Sequence, residues 1–251
     1  MSLQRFSGKK VVITGAAGVF GGWIARAFAA EGASLYLSDI RPEALEQTAR
    51  RLPGVDIWQH VTDLTDPESA VDLIDSVERD WSSPDIVINN AGIYPYSRLL
   101  EQTTEQWNAT IDLNLRAPFL LIQGFARLMI ARGIQGSFIN ISSGAASMAG
   151  PGMGNYNVSK AGLEMLTRVF SLELAPHSIR VNSVVPGYAP GSEVSVMTDA
   201  HTSSMIENTP LKRTSGPDDA PQAILYLSSD AASFITGTTL SVDGGRTARV
   251  R

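Results

Sequence analysis

Short runs rich in Val, Ile and Leu alternate along the chain with longer segments whose apolar residues recur every three or four positions. The first pattern predicts strands and the second predicts helices. Strand-like runs fall at 10–14, 34–38, 56–61, 86–89, 137–141, 179–185 and 239–242, and helical segments at 22–31, 42–52, 67–81, 104–114, 117–132, 155–174 and 218–228. Regular alternation of the two favours a parallel sheet in an α/β domain, and strands apolar on both faces predict helices on both sides of it. Boundary signals agree: Gly32 follows the first helix, Pro42 opens the second, and Thr65-Asp66-Pro67 starts the third. Residues 186–217 fit neither period, mixing Pro, Gly, Ser and Thr with scattered apolar residues. In a domain spanning 1–251, the stretch at about 187–217 therefore reads as an inserted substrate loop or lid.

The 251 residues suit one domain, and 20 Lys+Arg against 25 Asp+Glu give a net charge of −5. That balance argues against nucleic acid as a partner, since binding phosphates without regard to sequence needs a basic surface. Only Arg246, Arg249 and Arg251 run the other way. The absence of cysteine excludes disulfides, thiolate metal sites and a cysteine nucleophile, and suits a reducing compartment. The most apolar long stretch, 111–131, is interrupted by Asp112, Arg116 and Arg127, and the start lacks the apolar core of a signal peptide. A cytoplasmic protein without a membrane partner is expected. No metal site is expected either, because His60, His177 and His201 show no paired ligand spacing. Neither the serine-hydrolase elbow nor the phosphate-binding loop of nucleotide hydrolases is present.

Candidate chemistry begins where the first strand runs into Thr14-Gly15-Ala16-Ala17-Gly18-Val19-Phe20-Gly21 and then a helix. Glycines at 15, 18 and 21 let a ligand approach a helix N-terminus, where a pyrophosphate binds; a tight turn without ligand is the plainer alternative. Asp39 ends the second strand 18 residues past Gly21, where a carboxylate accepts hydrogen bonds from ribose hydroxyls and repels a 2′-phosphate. This favours NAD over NADP, with Arg41 as the opposing signal. Tyr156 and Lys160 are one helical turn apart, and an ammonium beside a phenol lowers its pKa toward use as a base. Ser143 stands 13 residues earlier, at the end of the fifth strand, on the crevice side of such a sheet.

Together Thr14-Gly15 with Gly21, Asn89-Asn90-Ala91-Gly92, Asn114, Ser143, Tyr156-x-x-x-Lys160, Pro186-Gly187 and Val242-Asp243-Gly244-Gly245 resemble the short-chain dehydrogenase/reductase family over nearly the whole chain. The resemblance implies a Rossmann-like, doubly wound sheet of seven parallel strands flanked by helices, a nicotinamide cofactor and a homotetramer. It makes Tyr156 the acid/base, has Ser143 hold the substrate oxygen, and has Lys160 lower the tyrosine pKa and hold the nicotinamide ribose. Asn114 would support a water that relays protons to Lys160. Asp63, with Leu64, would bind the adenine, and Asn90, Ala91, Gly92, Pro186 and Gly187 would line the cofactor along with Gly15, Gly18, Val19, Phe20 and Gly21. Val242-Asp243-Gly244-Gly245 would serve the fold and subunit contacts. Two positions depart from the pattern: Val19 stands where a glycine is usual, and Gly191 where a threonine often touches the carboxamide, with Ser192 as a substitute.

The resulting expectation is an NAD-dependent oxidoreductase acting on a secondary alcohol or ketone. Tyr94, Tyr96, Met148, Met153, Tyr188, Val194, Val196 and Met197 are apolar or aromatic, and 186–200 contains no Lys or Arg, which favours a neutral, medium-sized substrate. Two alternatives stand beside it: a reductase of oxoacyl thioesters, and a dinucleotide-sensing regulatory protein that turns nothing over.

Overall fold

Val11 and Ile13 of β1 (Lys10–Thr14) join one buried apolar cluster, while Val12 between them joins another. The same alternation sorts Leu35 and Leu37 from Tyr36 in β2 (Ser34–Asp39), Ile86 and Ile88 from Val87 in β4 (Ile86–Asn89), and Ile139 from Phe138 in β5 (Ser137–Ile141). Successive side chains leave a strand on opposite faces, so a strand apolar throughout needs cover on both. One face is covered by α1 (Val19–Ala30), α2 (Pro42–Arg50) and α8 (Asp219–Ser228), through Ile24, Phe28, Leu45 and Ile224. The other is covered by α3 (Pro67–Trp81), α5 (Ala117–Ala131) and α6 (Gly154–Leu174), through Leu73, Val77, Leu121, Phe125 and Phe170. Full burial of a side chain such as Phe28 or Phe125 contributes roughly 1.5 to 3 kcal/mol.

The computed structural model describes residues 4–52, 54–191 and 198–248. With β3 (Ile57–Val61), β6 (Arg180–Pro186) and β7 (Thr239–Val242), seven parallel strands are ordered β3-β2-β1-β4-β5-β6-β7. The order reverses between β1 and β4, so their connections leave in opposite directions and open a crevice at the carboxyl ends. This is the expected Rossmann-like sheet. Among the described residues no helix is long and apolar enough to cross a membrane.

Three local readings change. β3 is an edge strand, and Val61 is 54% exposed, because only one side of it pairs. Within the stretch that resisted assignment, Asp199–Glu207 forms α7, capped by the Thr198 hydroxyl, which accepts from His201 N (3.2 Å). No residue of α7 is buried, so it lacks the apolar stripe that marks a helix in a sequence. Ser192, Val194, Val196 and Met197 lie outside the described residues, as do Arg249 and Arg251. Finally, α4 (Thr104–Ile111) does not stop before α5: the chain widens into a π-turn at Asp112–Arg116 and continues. Pro118 has no N–H for the carbonyl of Asn114 four residues back, which removes one ordinary helical bond at that point.

At the start of α1, Val19 is the first helical residue and Gly18 its N-cap, at φ −76°. Positive φ is required only at Gly15 (+60°), so a valine at 19 fits without strain. Gly21 is needed for a different reason, because a Cβ there would overlap the Gly15 carbonyl oxygen and lie 2.8 Å from Ala16 Cα. The neighbouring Gly22 has no such crowding, its nearest contact being Ala16 O at 3.9 Å. In urea unfolding, Gly21→Ala is expected to lower stability by about 1 to 3 kcal/mol, as overpacking does, and Gly22→Ala to raise it by about 0.5 to 1 kcal/mol. Equal stability of the two variants contradicts the close approach of α1 to β1.

Candidate active site

The crevice is fastened by side chains at the ends of β1 and β4. Thr14 Oγ1 accepts hydrogen bonds from the backbone N–H of Asn90 and of Ala91, both 3.1 Å. The Asn90 side-chain amide donates in turn to the carbonyls of Thr14 (2.9 Å) and Gly15 (3.0 Å). A Cβ at Gly15 would lie 2.8 Å from Ala91 Cα, so the two loops meet at van der Waals limits. Asp39, 6% exposed, closes the glycine turn from the other side: Oδ2 accepts from Ala17 N (3.0 Å), and Oδ1 accepts from Arg41 N and Arg41 Nε (3.1 Å each). The N-terminus of α1 has no side-chain cap and no acidic residue in its first turn. Its unpaired N–H groups and positive dipole end fit the phosphates of a dinucleotide. Asp63 lies in the next loop, where its carboxylate accepts from Thr65 N (2.9 Å) and Thr65 Oγ1 (2.6 Å), with Leu64 buried beside it.

At the catalytic end, Ser143 caps the short helical turn Gly144–Ala146, its hydroxyl accepting from Ala145 N (3.2 Å). It also hydrogen-bonds to Tyr156, in the first turn of α6. Lys160, one turn on, is 5% exposed; its Nζ donates to the Ile141 carbonyl (2.7 Å) and lies 5.7 Å from the centre of the Tyr156 ring. Asn114, in the π-turn, grips residue 93 at both ends, Oδ1 accepting from Ile93 N (2.9 Å) and Nδ2 donating to Ile93 O (2.8 Å). Nδ2 also donates to Ser159 Oγ (3.1 Å). Gly92 sits against this group: a Cβ there would be 3.2 Å from Asn114 Oδ1 and 3.6 Å from Lys160 Nζ.

Burial sets the electrostatics. It pushes the Tyr156 phenol up to about 12, the hydrogen bond from Ser143 pulling down and the neighbouring Tyr94 phenol, 5.8 Å between ring centres, pushing further up. It also pushes the Lys160 ammonium down to about 8. In the protein without cofactor burial dominates both groups, and the Lys160 ammonium donates to a backbone carbonyl.

A cavity of about 990 Å³ joins these parts. It is lined by Gly15, Gly18, Val19, Phe20, Gly21, Asp39, Asp63, Leu64, Asn90, Ala91, Gly92, Ser143, Tyr156, Lys160, Pro186 and Gly187. Asn114 is not among the lining residues and acts from behind Gly92. Tyr94, Tyr96, Met148, Met153 and Tyr188 form the apolar wall as expected. Sequence reasoning missed His201 and Met205 of α7 and the turn Asp243, Arg246 and Thr247 after β7. Arg246 had drawn notice only as a terminal positive charge. The signal available was its position immediately after the glycine pair Gly244-Gly245, which follows a strand that ends at the crevice.

A family model described as enoyl-(acyl carrier protein) reductase matches residues 15–247. The chain is 34% identical over 245 residues to a 3-oxoacyl-[acyl-carrier-protein] reductase of Thermotoga maritima, covering 96% of this chain and 99% of the relative. It is also 34% identical over 249 residues to a cis-4-hydroxycyclohexanecarboxylate dehydrogenase of Sinomonas cyclohexanicum, covering 98% and 99%. The fold matches a short-chain type dehydrogenase/reductase from Mycobacterium marinum with a TM-score of 0.93, at 31% identity over 98% of each chain. With the sheet order, the glycine turn and the Ser143, Tyr156 and Lys160 cluster in one cavity, these matches place the chain in the short-chain dehydrogenase/reductase family of oxidoreductases.

Proposed function

We propose that the protein is an NAD-dependent dehydrogenase that interconverts a secondary alcohol and its ketone, with Tyr156 as the proton-transfer residue. The observation that carries this reading is the convergence of Ser143, Tyr156 and Lys160 at one end of a cavity whose other end holds Asp39 at the glycine turn. A nicotinamide cofactor held in this cavity would supply hydride-transfer chemistry at the substrate carbon. Gly15, Gly18, Val19, Phe20 and Gly21 receive the phosphates, Asp39 the adenosine ribose, Asp63 and Leu64 the adenine, and Asn90, Ala91, Gly92, Pro186 and Gly187 the rest of the dinucleotide. Ser143 donates to the substrate oxygen and fixes it beside Tyr156, whose hydroxyl takes the alcohol proton in oxidation and gives one back in reduction. A phenol near 12 needs positive charge to do this, and the Lys160 ammonium, 5.7 Å from the centre of its ring, would favour the phenolate. Lys160, near 8, can itself exchange a proton around neutral pH. Asn114 holds the main chain at Ile93, so that Gly92 keeps its place and a water can pass protons to Lys160.

The secondary-alcohol reading draws on the Sinomonas relative, whose name places its substrate hydroxyl on a ring carbon. The second reading, reduction of an oxoacyl thioester, is favoured by the Thermotoga relative, whose name gives a 3-oxoacyl thioester as its substrate. Assays with acetoacetyl thioesters and with cyclic alcohols separate the two. The stretch at 187–217 serves as the substrate loop, since His201 and Met205 of α7 reach the cavity wall. A cytoplasmic homotetramer completes the proposal. Its assembly face is the apolar groove of Ile111, Leu115, Phe119, Met165 and Val169, where Met165 and Val169 are 54% and 43% exposed.

Three measurements test this function. Tyr156→Phe removes one hydroxyl, and turnover is expected to fall by about 10²-fold or more while NAD binding barely changes; near-normal turnover rejects the mechanism. For the cofactor, NAD is expected to bind about tenfold or more tightly than NADP, roughly 1.4 kcal/mol, because a 2′-phosphate meets the Asp39 carboxylate. Asp39→Ala should narrow that ratio, and an unchanged ratio assigns the selection elsewhere. Lys160 gives a pH signature in unfolding experiments without cofactor. Its ammonium is depressed to about 8 in the folded protein against an ordinary value of 10.5, so over that interval the unfolded chain binds more protons than the folded one. Stability relative to Lys160→Met therefore rises with pH between about 8 and 10.5 and is lost as pH falls back through that window. A constant difference between the two proteins means that Lys160 is not desolvated.

A further inference from the structure

In the dehydrogenase reading Ser143 and Tyr156 meet one substrate oxygen, yet they stand on different elements, Ser143 on the loop after β5 and Tyr156 in the first turn of α6. The chain between them does not fix their separation, since 147–153 is irregular and includes Gly150 and Gly152, the latter at φ +78°. Asn157 spans the gap. Its Nδ2 donates to the carbonyls of Ala145 (2.6 Å) and Met148 (2.8 Å), in the turn that follows Ser143. Both amide hydrogens are used in this way, which fixes the orientation of the group, because a side-chain oxygen in that place would meet two further acceptors. The main-chain N–H of Asn157 donates to the Met153 carbonyl (2.8 Å), so the residue itself is held in the opening turn of α6.

The two residues that Asn157 grips are tied back to the catalytic serine. Ser143 Oγ accepts from Ala145 N (3.2 Å), and the carbonyl of Gly144, next to it, accepts from Met148 N (2.9 Å). On the other side of Tyr156, Asn155 is fully buried; Oδ1 accepts from Tyr156 N (2.8 Å) and Nδ2 donates to Thr110 Oγ1 (2.7 Å) of α4. Positions 155 and 157 leave a helix about 200° apart. The turn that carries Tyr156 is therefore anchored to α4 by one neighbour and to the Ser143 loop by the other.

The need for such a clamp arises from the single hydrogen of a serine hydroxyl. In the structure the Ser143 hydroxyl is bonded to Tyr156. Turning it to a substrate oxygen removes that direct link between loop and helix, whereas the Asn157 bonds end on main-chain carbonyls and stay in place. Resting on the dehydrogenase reading above, we infer that Asn157 is a positioning residue that holds the Ser143 loop on α6, so that the Ser143 hydroxyl keeps its place against the Tyr156 phenol while it exchanges one partner for another. Asn157, Ala145 and Met148 all line the cavity.

The test uses Asn157→Ala, which suits a helix and removes both donors, and Asn157→Leu, which removes them at nearly constant volume. With NADH bound, amide hydrogen exchange at 145–148 is expected to quicken by about tenfold or more in both variants, while exchange along 160–174 and NADH affinity match the parent. With cyclohexanol and NAD, or acetoacetyl-coenzyme A and NADH, turnover is expected to fall by about 10- to 100-fold, the scale of a misplaced reacting group, with KM for the cofactor unchanged. Because Asn157 acts through Ser143, the same substitution made in Ser143→Ala should lower turnover by less than about twofold more. Unchanged exchange at 145–148, loosening that spreads along α6, weaker NADH binding, or a full further loss in the Ser143→Ala background overturns the inference. Near-normal turnover of Ser143→Ala alone rejects instead the role given to Ser143 in the dehydrogenase reading. The exchange measurement needs no substrate, so it decides whether Asn157 holds the loop in that case and where neither probe reacts.

Discussion

The Asn90 side chain spans the gap where the sheet reverses direction, donating to the carbonyls of Thr14 and Gly15. Strands β1 and β4 diverge in their connections at that point, and every other part of the cavity is placed relative to this joint. The Thr14 hydroxyl answers from the opposite strand by accepting two backbone N–H groups, so this joint is closed by groups of the protein alone. A hydrogen bond of this kind contributes only about 1 kcal/mol net. Its larger effect is geometric, since it holds Gly15 so close to Ala91 that a side chain at position 15 has no room. The space left open is the space a dinucleotide needs.

Beyond that joint, the catalytic end is governed by desolvation. Burial moves both Tyr156 and Lys160 toward neutrality, the phenol up to about 12 and the ammonium down to about 8. A positive charge brought beside them would favour the phenolate and disfavour the ammonium, so charge at this end of the cavity and protonation of the pair are linked.

Much of this was legible in the chain. The glycine turn, the residues after β4 and β5, and the Tyr156 and Lys160 pair are local signals, each within one loop or one helical turn, and all of them line the cavity except Asn114. The strand positions were legible because two-sided burial leaves unbroken apolar runs. What could not be read was set by relations across the fold. The exposure of Val61 depends on β3 being an edge, α7 has no buried residue to give it a period, and the π-turn at Asp112–Arg116 is a backbone feature with no composition of its own. The pKa of Tyr156 likewise depends on how deeply the phenol is packed, which spacing alone does not tell.

The two ends of the cavity show the same division. The adenosine end is made by loops after β1, β2 and β3, consecutive in sequence, and its charges Asp39, Arg41 and Asp63 appear within 25 residues of one another. The substrate end gathers loops after β4, β5, β6 and β7, drawing on Tyr94, Ser143, Tyr188 and Arg246 from more than half the chain. A charge at the first end is bound by a neighbour two residues away, as Arg41 is by Asp39. The turn that carries Arg246 is held by Asp243, which accepts from Gly245 N and Thr247 N. It meets the rest of the cavity at Gly187 and at Gly144, while α7 reaches the same end through His201 and Met205. The two ends of the cavity are thus built from different loops, the first from neighbours in sequence and the second from segments that only the sheet brings together.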